Sequence, residues 1–302
     1  MVTQGQGTTL KTKIEPFGWV SPSIILFGLF LLYPMFFSVL LSFFDWSGYD
    51  RNPFKTFVGI ENYANLVQDP LFWKSLQNTL ILVFVVVFVM VGISMFLALI
   101  VFFGKFKFDN LIRAIIFFPG VISQIIIGLV FRRLLASDGL INIVLEGIGL
   151  GRFAQGWLGN DDLVMWIVSL VVVWQWVGYI MVIFYAALQN IDQNLVEAAS
   201  IDGATMTRTL TTVVIPLLRP AIYLSMILNF IGGFRVYAII WILTRGGPVH
   251  SSEVLTTYMY YQSYAHSGPS NMSYGATIAV ALTLIVLVFA AIRVRFFSKE
   301  GN

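Results

Sequence analysis

The sequence predicts an all-α membrane protein with six transmembrane helices, and three observations carry that prediction. Hydrophobic residues make up 58% of the chain and charged residues only 11%, whereas a soluble domain is about a quarter charged. Mean hydropathy is +0.84. The apolar residues fall in runs free of formal charge, each set against the ~20 residues that a spanning helix needs. Lys and Arg collect in short clusters between those runs, a topology signal with no resemblance to a nucleic-acid-binding patch. Cysteine is absent, which excludes a disulfide framework, a thiol nucleophile and a thiolate metal site.

Taken in order, Pro16–Phe44 and Ser75–Gly104 are uncharged throughout. Ala114–Phe131 is shorter but is bounded by arginines whose long stems can snorkel to the interface. Leu163–Ile191 is uncharged, Thr209–Thr244 is broken only by Arg219 and Arg235, and the last span fills Ala276–Ile292. The first run exceeds a signal-peptide core and has no small-x-small cleavage site, so it reads as an uncleaved first span. This gives a tail over residues 1–15, a six-span domain over 16–296 and a second tail over 297–302. Internal repeats, low-complexity sequence and a separable soluble domain are not evident.

Orientation rests on basic residues in the loops. One side carries Lys11, Lys13, Lys105, Lys107, Arg113, Arg208, Arg219, Arg293, Arg295 and Lys299. The other carries Arg51, Lys55, Lys74, Arg132, Arg133, Arg152, Arg235 and Arg245. The first set is larger and lies in much shorter segments, which places both termini in the cytoplasm.

The fourth and fifth spans are separated by a polar interruption over 192–211 on that same side. Asp192 or Asn194 can cap a short helix there, and Asn194-x-x-Glu197 has capping-box spacing. Leu195, Ala198, Ala199 and Asp202 recur at helical spacing and give a narrow face of small side chains. Gly203 permits the positive φ that stops a helix. Small alanines let another backbone approach closely, and the flanking carboxylates of Glu197 and Asp202 accept hydrogen bonds. The plainer alternative is a capped turn joining two spans, with Glu197 complementing the helix dipole.

Glu197-Ala198-Ala199, three residues, Gly203 and then Ile215-Pro216-Leu217-Leu218-x-Pro220 resemble the EAA loop of ABC-importer permeases. The resemblance runs over about residues 15–295. It includes Phe118-Pro119-Gly120, Gly139-Leu-Ile-Asn142 with Gly147-x-Gly149, Trp174 with Gly178-Tyr179, and Tyr274-Gly275-Ala276. Leu243-Thr244-x-Gly246-Gly247-Pro248 is similar to the maltose-permease-F-like half of a sugar-importer pair. A short first outer loop and the lack of extra N-terminal spans set the chain apart from the maltose protein, so the resemblance carries the class and not maltose.

The resemblance implies a type I importer permease, multi-pass in the cell inner (plasma) membrane of a bacterium or archaeon and in contact with membrane lipid. Its implied partners are a second, non-identical permease subunit, two ATP-binding subunits under the EAA loops and an extracytoplasmic solute-binding protein. Glu197, Ala198, Ala199, Asp202 and Gly203 would couple ATPase closure to movement of the spans. The chain has no G-x-x-x-x-G-K-[ST] phosphate loop, since Gly104-Lys105 is followed by Phe106. ATP and Mg are therefore expected on partner ATPase subunits, with no cofactor or catalytic residue on this chain.

The substrate path is expected near the middle of spans four and five. Asp162 and Asp192 bracket about 45 Å of helix, whose midpoint lies near Val177–Tyr179. Gln175 and Trp176 stand four and three residues before Tyr179, a spacing that shares a face. Aromatic rings and hydrogen-bonding groups suit the CH faces and hydroxyls of a sugar. Asn229 lies roughly 15 Å beyond Arg219, close to the midplane, with Gly232-Gly233 beside it. By the family pattern Trp174, Tyr179 and the Gly233–Tyr237 stretch lie near the path, Arg235 and Tyr237 included. The alternative is that these aromatics pack helices or face lipid. Arg235 is the one charge well inside a span, about 24 Å from Arg219 and hence in the outer half. If it faces the path, an anionic substrate such as glycerol-3-phosphate or a glycerophosphodiester gains weight. His250 and His266 lack metal-ligand spacing. An ion-coupled secondary transporter would need carboxylates within the membrane, yet every Asp and Glu falls in a loop or at a span end. An embedded enzyme would need a catalytic constellation, and none is visible.

Overall fold

The computed structural model describes residues 20–104, 106–265 and 271–297. The expected terminal tails, the first residues of the first span, Lys105 and His266 lie outside them. In chain order the elements are α1 (Val20–Leu41), the two-residue strands β1 (Phe44–Asp45) and β2 (Thr56–Phe57), α2 (Glu61–Gln68) and α3 (Pro70–Gly104). Then come α4 (Asp109–Val121), α5 (Gln124–Leu134), α6 (Leu140–Gly147), α7 (Val164–Gln189) and α8 (Gln193–Ile201). The chain continues through α9 (Met206–Leu217), α10 (Arg219–Gly233), α11 (Ala238–Leu243), α12 (Leu255–Tyr260) and α13 (Met272–Phe297). Four stretches, α1, α3, α7 and the Met272–Phe289 part of α13, are long and apolar enough to cross a membrane. The count reaches six if the bent pairs α4/α5 and α9/α10 each make one span. The protein is therefore a helical, multi-pass membrane protein.

Two of the six expected spans are not single helices. α4 meets α5 at 95°, because Pro119 brings no N–H to the helix ladder and the chain turns extended at Ile122 (ψ 139°). The charge-free count over Ala114–Phe131 carried no information about that corner. α9 meets α10 at 65°, with Pro216 and Pro220 on either side of the joint. The helix expected over Thr209–Thr244 also stops at Gly233 and resumes at Ala238. α3, by contrast, starts earlier than Ser75. Asp69 caps it by accepting from Leu71 N at 2.9 Å and Pro70 takes the first position, so a helix that begins outside hydrocarbon carries Lys74 in its first turns.

The chain forms two compact units. One joins the described residues up to Leu66 to Tyr261–Leu284. In it, Ser273 Oγ accepts from Trp46 N at 2.7 Å and Asn62 Nδ2 donates to Ser42 O and Phe44 O at 2.9 Å. Phe44 stacks edge-on against Phe54 and Phe57. These contacts tie the β1–β2 hairpin to the end of α1 and the start of α13.

The other unit holds Val67–Tyr260 with the residues from Ile285 onward. Its centre is α7, packed on α3 and α4. Ser94 Oγ donates to Val177 O at 2.9 Å, bonding α3 to α7. A Cβ at Gly178 would sit 2.1 Å from Ile116 O and 2.7 Å from Phe117 Cα, so α4 crosses α7 at backbone contact. Asn142 is 3% exposed. Its amide donates to Ser137 O and Gln155 O and accepts from Gln155 N and Trp157 Nε1, which knots the α6 region.

The Leu243-Thr244-x-Gly246-Gly247-Pro248 segment folds over a buried acid. Glu253 is 1% exposed and its Oε2 lies 2.8 Å from His250 Nδ1. Gly246 has φ +84°, and a Cβ there would reach within 2.4 Å of that carboxylate. Ser252 Oγ donates to Gly247 O at 2.6 Å and lies 2.7 Å from Thr244 Oγ1. Asn78 Nδ2, from α3, donates to Glu253 O at 2.8 Å. The sequence reading assigned His250 nothing, and a buried loop carboxylate has no signature in composition.

Two outcomes follow. Gly178→Ala should overpack the α4–α7 crossing and lower the thermal midpoint, at a cost of about 1–3 kcal/mol or more. Gly147→Ala, with nothing within 4 Å, should leave it unchanged. Burial pushes the Glu253 carboxyl above its ordinary 4.5, against hydrogen bonds from His250 and Thr257 that pull it down. The folded state thus keeps a proton that the unfolded chain has lost. Glu253 contributes its full stabilisation below the ordinary value and loses it as pH rises through the folded one. Thermal midpoints followed upward from pH 4.5 should fall more steeply for the wild type than for Glu253→Gln.

Candidate functional site

A cavity of about 410 Å³ opens in the larger unit where α3, α7 and α10 meet the start of α5. α7 contributes Val172, Trp176, Tyr179 and Ile180, one helical face, and α10 contributes Leu228, Asn229, Gly232 and Gly233. Val86 and Met90 of α3, Gln124 of α5, and Arg235 and Val236 beyond the end of α10 complete it. Three departures from regular helix meet here: a π-helical stretch over Val85–Met90, the α4/α5 corner just before Gln124, and the non-helical residues after Gly233. In a membrane such backbone is tolerated where it is buried in protein or lines a cavity, and π-turns often mark functional sites.

The lining combines two aromatic rings, two amides and one guanidinium. Trp176 and Tyr179 stand edge to face with centroids 6.2 Å apart. No carboxylate borders the cavity. Among the described residues Arg235 has no ion pair. The arrangement offers apolar ring faces, neutral hydrogen-bonding groups and a single positive charge. It contains nothing that could act as nucleophile or general base. The described residues hold no group of three His, Asp or Glu able to bind a metal.

Of the residues expected along a path, Tyr179, Asn229, Gly233 and Arg235 border this cavity, while Trp174, Gln175 and Tyr237 do not. Trp174 packs on Phe131 at 5.0 Å. Gln175 is 1% exposed and its Nε2 donates to Ile122 O at 3.2 Å, so its amide serves the backbone at the α4/α5 corner. Adjacent helical residues diverge by about 100°, and Trp176 rather than Gln175 therefore faces the cavity beside Tyr179. Tyr237 packs against Trp241 and Tyr260. Gln124 was not singled out in the sequence, because a corner in the third span was not expected.

The second candidate is α8. Asp192 is its N-cap, accepting from Asn194 N at 2.9 Å, which resolves the choice between Asp192 and Asn194 and leaves no capping box. Gly203 takes φ +78°. Gly203 N donates to Ser200 O and Ala204 N to Ala199 O, the paired bonds of a Schellman ending. None of the nine residues of α8 is buried. Glu197, Ala198, Asp202 and Gly203 are exposed, and Ile201 is 86% exposed. A helix this short is marginal in water by itself, so one that packs so little of its apolar surface has its face free for a partner.

Comparison with known proteins adds a family. The model of the binding-protein-dependent transport system inner membrane component matches residues 90–298. A probable ABC transporter permease protein, YurN of Bacillus subtilis, is 33% identical across 97% of this chain and 98% of its own length. The lactose transport system permease protein LacF of Rhizobium radiobacter is 33% identical across 94% of each. A solved bacterial alginate ABC transporter, in complex with an alginate pentasaccharide-bound periplasmic protein, contains a chain with TM-score 0.79 at 24% identity. That alignment covers 96% of this chain and 98% of that one.

The structural use of Gln175 is directly checkable. Gln175→Leu should strand Ile122 O and cost about 1–3 kcal/mol, read as a lower thermal midpoint. Trp174→Phe, at the lipid-facing neighbour position, should cost far less.

Proposed function

Because the chain belongs to the family of binding-protein-dependent transport system inner membrane components, we propose that it is one of two non-identical permease subunits of an ABC importer for a sugar or oligosaccharide. It is a transporter subunit and not an enzyme. Relatives named for lactose and for arabinooligosaccharides support the substrate class, and the aromatic and amide lining of the cavity agrees with it. On this reading each bent pair is one span, both termini are cytoplasmic, and the host is a bacterium or archaeon. A solute-binding protein delivers sugar to the cavity from outside. Two ATPase subunits, which carry ATP and Mg, dock on α8 from within.

The single observation that carries the coupling role is the fully solvated, well-capped α8, whose Glu197-Ala198-Ala199 and Gly203 are exposed. Closure of the ATPases would move α8, and α8 leads straight into the α9–α10 pair that borders the cavity. Sugar would favour one arrangement only through contacts that differ between the two.

The test uses the purified complex with its partner subunits. Glu197→Lys or Gly203→Pro should leave membrane insertion intact and abolish hydrolysis stimulated by loaded binding protein. Tyr179→Ala and Asn229→Ala should leave assembly intact and lower that stimulation roughly five- to a hundredfold, the effect of one or two lost buried hydrogen bonds. Normal stimulation in both loop variants removes α8 from the mechanism. Ion-driven uptake by the chain alone would replace the ABC reading with a secondary transporter.

A further inference from the structure

We propose that Thr256 is a positioning residue for the cavity: its hydroxyl fixes the non-helical stretch that carries Arg235, without itself lining the cavity. The inference deepens the reading above, on which the cavity receives the sugar.

Between Gly233 and Ala238 the span has no continuous helix. Arg235 N still reaches Gly232 O at 3.0 Å, but Val236 O has lost its helical partner. Thr256 Oγ1 supplies one, donating to Val236 O at 2.5 Å. One turn later on the same face of α12, Tyr260 packs on Tyr237 and Trp241 with centroids 5.1 and 4.8 Å away. A hydroxyl and a ring on one helix therefore hold two successive residues, and those residues follow Arg235 directly.

α12 is itself anchored. Leu255 N donates to Thr79 Oγ1 at 3.0 Å, and Asn78 Nδ2 donates to Glu253 O. Both partners belong to α3, which also supplies Val86 and Met90 to the cavity wall and packs Val83 and Val86 on Gly233. The strap from Glu253 to Tyr260 thus closes a ring, from the outer half of α3 through α12 to Val236 and back across the cavity to α3. Arg235 stands at the one point of that ring where the backbone has no helix to hold it. Unpaired backbone that borders a cavity has several conformations open to it, and Thr256 selects one.

The chain has no cysteine, so a cysteine placed at position 235 reports local accessibility without background from this subunit. The experiment measures the labelling rate of Arg235→Cys by a small methanethiosulfonate reagent in the intact membrane complex. The same variant is then read with Thr256→Val and with Thr256→Ser, the labelled subunit being resolved on a gel. Thr256→Val should change the rate at position 235 by roughly three- to tenfold, and Thr256→Ser, which keeps the hydroxyl, should restore it. Leu228→Cys, on the cavity but within regular helix, should label equally in all three backgrounds. An unchanged rate at 235 with Thr256→Val, failure of serine to restore it, or an equal change at 228 overturns the proposal. The readout needs no sugar, so it separates the two readings. If it succeeds while Tyr179→Ala and Asn229→Ala both transport normally, Thr256 positions the stretch but the cavity is not the sugar's.

Discussion

Hydrocarbon contains no water to hydrogen-bond an exposed peptide group, so every break in a spanning helix must be closed from within the protein. This chain breaks its helices repeatedly, and much of its buried polar inventory answers that demand. At the α4/α5 corner Ile122 N reaches back to Pro119 O and Ile122 O is taken by Gln175. At the α9/α10 joint the ladder survives, since Leu218 N bonds both Val214 O and Ile215 O. Past Gly233 the closing group is Thr256. Ser94 does the same for Val177 O. These side chains read as polar errors in apolar runs until the backbone groups they serve are identified.

The cavity follows from where those breaks fall. A continuous helix presents side chains only, at fixed angular steps. A broken one can place a side chain such as Gln124 or Arg235 at an angle no regular helix would allow, and can leave room beside it. Gln124 follows the first break directly, Arg235 and Val236 lie in the last, and Val86 and Met90 come from the π-helical part of α3. Gly233, with a notional Cβ only 3.0 Å from Val83 and Val86, brings α10 against α3 and keeps this region of low regularity closed at one side. The strongest interior packing, Gly178 on the α4 backbone, fixes α7 beside it. The mobile-looking chemistry is thus mounted on rigid crossings.

The membrane class, the extents of α1, α3, α7 and α13 to within a few residues, and the capped α8 with Gly203 at its end were legible in the sequence. Each depends on local properties: charge-free length, cap chemistry and the need for φ > 0. Tyr179 and Asn229 were placed on one cavity by length measured from charged anchors, which works because helix rise is constant. The same ruler ignores bends, and so the α4/α5 corner, Gln124 and the end of α10 at Gly233 were missed. Proline was present at each bend, but in a transmembrane helix proline is compatible with a kink, a corner or neither. Gln175 and Trp176 show the limit most clearly. Both suit a sugar by chemistry, and only packing tells that one closes a backbone gap while the other faces the cavity. Glu253 gave no sequence signal, because a carboxylate in a loop reads as solvated unless the loop folds back over it.

The route from α8 to the cavity has a definite mechanical form on the functional reading proposed here. α8 is solvated, and two capped turns, ending at Gly203 and starting at Thr205, separate it from α9. α9 then meets α10 at Leu218, which is 1% exposed and still hydrogen-bonded through the bend. A buried, bonded joint between two helices at 65° transmits displacement as rotation about Leu218 rather than absorbing it as loop motion. Asn229 lies eleven residues beyond that joint, about 16 Å along α10, so a rotation of a few degrees moves its amide by about an ångström. A shift of that size is enough to make or break a hydrogen bond, whose strength falls steeply beyond about 3.2 Å. α3, held by Ser94 to α7, does not share the rotation, and the strap through Thr256 ties the far end of the same span to α3. The cavity is therefore set between a wall that α8 can turn and a rim that α3 holds still, which is what differential contact with a ligand in two states requires.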